Sequence, residues 1–101
     1  MLNINKIDNR FIVSFKNIKK FNFQLTETIN EQLLKLFTTP KSNIVFDMTG
    51  IKFIDSTGFE TLLNLQRTAK FYDSSFVLTN VSEEAKEIID LVHLDKVLFL
   101  N

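Results

Sequence analysis

Residues 55–58 read Asp-Ser-Thr-Gly: a carboxylate, two hydroxyls and a glycine in immediate succession. They follow the apolar pair Phe53-Ile54 and precede a stretch with helical spacing. Ser56 and Thr57 therefore fall at a helix N-terminus, where backbone N–H groups lack intrahelical partners and the dipole is positive. Such a place accepts an anion. A phosphoryl group on either hydroxyl would add about −1.5 to −2 charge at neutral pH. The helix end could hold it, and its main effect would fall on whatever surface docks there. Local capping explains the same four residues: Asp-Ser-Thr suits an N-cap, and Thr57 with Glu60 has the spacing of a capping box. Gly58 then serves close packing of the helix on a strand. Taken alone, the segment favours capping over signalling.

Other residues capable of chemistry are few. The chain of 101 residues has no cysteine and one histidine, His93. Thiol nucleophiles, disulfides and multi-histidine metal sites are excluded. His93 lies near the end of an expected helix, where a cation suits the dipole, and a structural role is expected. Asp47 follows an apolar run, which places it on the same edge as Asp55. Two acids could bind Mg²⁺, but turn capping is the more economical reading. No Gly-rich phosphate loop is present, and no spacing supports a Ser56–His93–Asp triad, so the chain is not expected to be an enzyme.

The elements that must position Ser56 follow from periodicity. Ile4 and Phe11–Phe15 lie in two β-prone stretches split by the turn signal Asp8-Asn9, which predicts a hairpin. Residues 16–24 show no clean period and read as a loop or an irregular strand extension. Helical spacing begins at Thr26 with Ile29, Leu33, Leu36 and Phe37. Thr28 and Glu31 have capping-box spacing, and Pro40 ends the helix. Ile44-Val45-Phe46 and Phe76-Val77-Leu78 are wholly apolar, as in strands buried on both faces. A second helix is expected from Thr57 to about Phe71. Ser82 caps a third, with Glu83 and Glu84 in its first turn and Ile88, Ile89, Leu91 and Val92 on its apolar face. Val97–Leu100 is expected as a last strand. The order β-β-α-β-α-β-α-β implies a mixed, mostly parallel sheet with an N-terminal hairpin and helices packed on it. Residues 1–101 read as one domain.

Composition narrows the class further. Twelve Lys and Arg balance twelve Asp and Glu, which argues against a nucleic-acid binder. The N-terminus lacks a signal-peptide pattern, and no apolar run approaches the roughly 20 residues of a membrane span. A cytoplasmic location without membrane insertion is expected. The eleven phenylalanines fit an AT-rich genome and carry no functional reading. Phe59, on the first turn after Gly58, is either a core residue or an exposed interface anchor, with equal weight. Lys19 and Lys20 read first as a solvated loop, with a basic rim for an acidic partner as the alternative.

The segments Asn43-Ile-Val-Phe-Asp47 and Gly50-Ile-Lys-Phe-Ile-Asp-Ser-Thr-Gly-Phe59, followed by the Leu62-Leu63 helix, resemble the STAS family, the sulfate transporter and anti-sigma-factor antagonist domain. Phe76–Ser82 and Leu91–Val97 resemble it too, so the likeness covers roughly residues 43–100; residues 1–42 match in element order only. The resemblance implies an anti-sigma-factor antagonist. In such antagonists the serine after the aspartate is phosphorylated by a partner anti-sigma factor, a GHKL-type ATP-dependent kinase, and a PP2C-type phosphatase resets it. Ser56 matches the phosphoacceptor and Asp55 the residue that orients it or assists the partner's chemistry. Thr57 matches the adjacent hydroxyl and Gly58 the tight contact at the helix start; Phe59 completes the expected partner-binding segment. No cofactor is implied. Where antagonists carry a Gly-Glu-Leu-Asp-like turn, this chain has Lys16-Asn-Ile-Lys-Lys-Phe21, which points to a different partner surface there. Two other roles remain open: a constitutive scaffold subunit of a lipid-transport ABC system, and a nucleotide-binding regulatory domain.

Overall fold

The computed structural model describes residues 2–91. The expected Val97–Leu100 strand and His93 lie outside the described residues. Strands β1 (Leu2–Ile7), β2 (Arg10–Phe15) and β3 (Lys20–Phe21) lead into helix α1 (Phe23–Leu36). Then come β4 (Asn43–Asp47), β5 (Phe53–Ile54), α2 (Ser56–Phe71), β6 (Ser75–Thr79) and α3 (Glu83–Leu91). Among the described residues no helix is long and apolar enough to cross a membrane.

The hairpin forms as its turn signal predicts. Asp8 takes a left-handed conformation with φ 56°, which aspartate tolerates better than most residues. β1 and β2 pair antiparallel, and β2, β4 and β6 pair parallel in the order β1-β2-β4-β6. The parallel pairs require crossovers, and α1 and α2 supply them. The mixed sheet is therefore as expected. The periodless segment 16–24 resolves into a loop and the short β3, which pairs with β5 as a separate two-stranded parallel unit.

One face of the large sheet forms the core. The register aligns Val13 with Phe46 and Phe46 with Leu78, and all three are buried. Rings continue across it: Phe15 meets Phe21 at 5.6 Å and Phe46 at 5.5 Å, and Phe46 meets Phe76 at 4.9 Å. All three contacts are edge-to-face, the arrangement in which a positive ring edge meets a negative ring face. β4 and β6 are buried on one face rather than two. Val45 and Val77 look out from the other side and are half-exposed. An all-apolar run hides this alternation, because valine suits a half-covered pleat as well as a buried one.

Helix α1 starts earlier than Thr26. Asn22 is its N-cap and accepts the Leu25 N–H at 3.1 Å. Thr28 is not part of a capping box; its hydroxyl donates to the Gln24 carbonyl at 2.9 Å, a mid-helix habit of threonine. The helix ends at Leu36, before Pro40, with Phe37 as C-cap. Ser82 caps α3 as expected: its Oγ accepts the Ala85 N–H at 3.1 Å and donates to the Ile51 carbonyl at 3.0 Å.

Phe46 touches aromatic rings on both flanking strands, so its removal leaves a cavity that small shifts cannot fill. Phe46→Ala should cost about 3–5 kcal/mol, read as a lowered urea midpoint with a retained slope.

Candidate functional site

Ser56 is reached through the β3–β5 unit. Lys20 pairs with Phe53 and Phe21 with Ile54. The Lys19 carbonyl accepts N–H groups from Lys52 at 2.8 Å and Phe53 at 3.2 Å, and the Phe21 carbonyl accepts from Asp55 at 3.3 Å. The 16–21 loop and the Asp55–Gly58 segment are thus one hydrogen-bonded surface. The first turn of α2 lies directly on β3. A Cβ built on Gly58 would run into the Phe21 carbonyl and come within 2.9 Å of the Ile54 side chain. Glycine is there for close approach, as one sequence reading held, although the strand it meets is β3.

Asp55 is the N-cap of α2, with extended backbone at φ −89° and ψ −179°. One carboxylate oxygen, Oδ1, accepts the Gly58 N–H at 2.7 Å, and the other, Oδ2, accepts the Phe23 N–H at 3.2 Å. Phe23 is the first residue of α1. A single carboxylate thereby satisfies donors at the starts of both helices, where it also complements both dipoles. The capping reading of this segment is correct in kind, but the cap is Asp55, and Thr57 with Glu60 forms no capping box. Nothing in the sequence marks Phe23 as Asp55's second partner, since the two lie 32 positions apart.

The hydroxyls differ. Ser56 is the first helical residue and is exposed. Thr57 is half-buried and lines a cleft of about 750 Å³ between α1 and α2 with Phe23, Glu27, Glu31 and Thr61. Of the two, Ser56 is the one open to solvent. Phe59 lies in the core at 7 % exposure, so the packing reading describes its ring, not the anchor. Its spacing with Leu62, Gln66 and Ala69 puts it on the buried face of α2. The exposed rings beside the site are Phe23 and Phe53, at 48 % and 46 %. Sequence reasoning passed over both. A signal for Phe53 was present in strand alternation, since its neighbour Ile54 is the buried member of the pair.

Lys16, Asn17, Lys19 and Lys20 are exposed, and Asn17 is left-handed at φ 62°. Asp47 serves its own turn. Its Oδ1 accepts from the Thr49 hydroxyl at 2.6 Å, the Thr49 N–H at 3.1 Å and the Asn80 amide at 3.0 Å. The Thr49 hydroxyl leads in holding its carboxyl below the ordinary 3.8, desolvation opposes this, and Asn80 adds to it. The carboxylates of Asp47 and Asp55 are each engaged by such donors. Among the described residues no three His, Cys, Asp or Glu side chains gather where a metal could be held.

The model of the STAS domain family matches residues 2–101. The chain is a STAS domain. Its fold is close to that of an anti-sigma-factor antagonist STAS protein from Planctomyces limnophilus, with a TM-score of 0.88 and 20 % identity over 98 % of this chain and 87 % of that one. RsbS of Moorella thermoacetica, solved as a serine-to-glutamate variant, gives a TM-score of 0.78 at 20 % identity, covering 99 % and 85 %. The Bacillus cell-fate determinant SpoIIAA, solved in its phosphorylated form, gives 0.72 at 12 % identity, covering 100 % and 91 %. The fold class expected from sequence is thereby found, and the N-terminal residues that resembled the family only in element order belong to the same domain match.

Two outcomes follow from this geometry. Gly58→Ala should lower stability by about 1–3 kcal/mol, because the new methyl group meets a backbone carbonyl that cannot rotate away; urea unfolding measures it. Asp47→Ala should cost about 1 kcal/mol at neutral pH. A carboxyl whose folded pKa is depressed stabilises above its unfolded pKa and loses that contribution as pH falls. The difference between Asp47→Ala and the unaltered chain should therefore shrink below the ordinary carboxylate range, in urea midpoints taken from neutral pH to pH ~3.

Proposed function

We propose that this STAS domain is an anti-sigma-factor antagonist, a partner-switching module and not itself a catalyst. With Ser56 free it binds an anti-sigma-factor kinase of the GHKL ATPase type; with Ser56 phosphorylated it lets go. The observation that carries this reading is the exposed hydroxyl of Ser56 at the start of α2, beside a carboxylate anchored by two backbone N–H groups. In the transfer, Ser56 Oγ bonds to the γ-phosphorus of ATP as the bond to ADP breaks, and the hydroxyl proton leaves to a base. Asp55 fixes the turn that presents the hydroxyl. A PP2C-type phosphatase returns the serine. Structures of fold neighbours solved phosphorylated or with glutamate for serine support the reading.

Phosphorylation needs no unfolding of α2, because negative charge at a helix N-terminus is favourable. The added group instead places about −2 charge and its hydration shell in the docking surface. The chain would act in the cytoplasm.

Incubation with its cognate GHKL-type kinase and ATP should add one phosphate, located at Ser56 by mass spectrometry of peptides. Ser56→Ala should bind the kinase constitutively and Ser56→Asp at least about tenfold more weakly, a difference of some 1.4 kcal/mol. An unmodified Ser56, or equal binding of both variants, would reject the switch; equal binding would favour the constitutive scaffold.

A further inference from the structure

The surface around Ser56 is electrically two-sided. On one side, Lys16, Lys19 and Lys20 are exposed, and among the described residues none forms an ion pair; Lys52 beside them pairs with Glu84 at 3.5 Å. On the other side, the α1–α2 cleft is lined by Glu27 and Glu31, with no lysine or arginine in its wall. The lysines are not a detached loop. Lys19 and Lys20 are hydrogen-bonded or paired to Lys52 and Phe53, four and three residues before Ser56, across a strand spacing of about 5 Å. Lys20 and Phe53 are opposite each other and both exposed, so a cation and an aromatic ring share one face. Their partners Phe21 and Ile54 are buried beneath, which holds that face in place.

An exposed ring flanked by unpaired cations fits a partner that presents acids around an apolar contact. The glutamates of the cleft steer those acids away from α1 and onto the lysine side. Resting on the switch reading above, we propose that the β3–β5 face binds an acidic surface of the partner protein, and that phosphate on Ser56 expels it by cancelling the positive charge of that face. Lys19 and Lys20 carry two positive charges on that face, and one phosphate offsets about two. Ser56 lies three residues after Phe53, the pairing partner of Lys20, so the phosphate and this face belong to one continuous surface.

The test uses an acidic dodecapeptide, Glu/Asp-rich with one central Leu, titrated into the full ¹⁵N-labelled chain. Amide shifts should cluster at Lys16–Phe21 and Lys52–Ser56. Lys19→Glu/Lys20→Glu should weaken binding about tenfold, as should Ser56→Asp, and raised salt should weaken it further. The control Lys35→Glu/Lys70→Glu, altering cations in the last turns of α1 and α2, should leave it unchanged. Circular dichroism and a dispersed amide spectrum establish that each variant is folded. Absence of shifts at Lys16–Phe21, equal weakening by the control, or preferential binding of a Lys/Arg-rich peptide at this face would overturn the proposal. Phosphorylation of Ser56 is read separately by mass spectrometry, so the switch can stand when the acidic partner fails, and the reverse.

Discussion

The structure around Ser56 depends on how closely the start of α2 lies against β3. A helix end must find partners for its free N–H groups, and a two-residue strand pair has little surface of its own to offer. Here the two deficits offset one another. Gly58 lets the first turn rest on the Phe21 carbonyl, and Asp55 donates its own N–H to that same carbonyl. The Asp55 carboxylate then reaches back to Gly58 and across to Phe23. The loop after β2, the start of α1 and the start of α2 become one rigid corner. Ser56 projects from that corner because each neighbour has an inward task and it has none.

The core serves the same end. The aromatic row from Phe21 through Phe15 and Phe46 to Phe76 runs from the corner across the sheet to β6. Displacing β3 would therefore disturb the core as well as the surface. A docking surface made of short strands and helix ends would ordinarily be among the softer parts of a domain. Anchoring it through buried rings keeps its exposed residues, Phe53 and the lysines, in a fixed relation to the hydroxyl. A charge change there would leave the fold intact, which is what the proposed switch requires.

Much of this was legible because it is local. The hairpin at Asp8-Asn9, the Ser82 cap and the position of Ser56 at a helix start each follow from neighbouring residue types. Periodicity places the start of α1 too late because Asn22 is an N-cap preceded and followed by phenylalanine, a context in which the cap has no periodic run beside it. The sequence leaves Phe59 between core and surface because the first turn of a helix can face either way until its neighbour in space is known.

The sequence by itself determined the hairpin, the three helices and strands β4 and β6, the place of Asp55-Ser56-Thr57-Gly58 at a helix start, and the family resemblance. Residue preference and period act over a few positions and need no partner. Only the tertiary structure decided that Asp55 caps two helices at once, that Gly58 is required by a carbonyl from β3, and that Lys19 and Lys20 border the Asp55–Gly58 segment. Each of these depends on contacts between residues roughly 30 or more positions apart. Such contacts come from packing and strand pairing, and no local pattern specifies them.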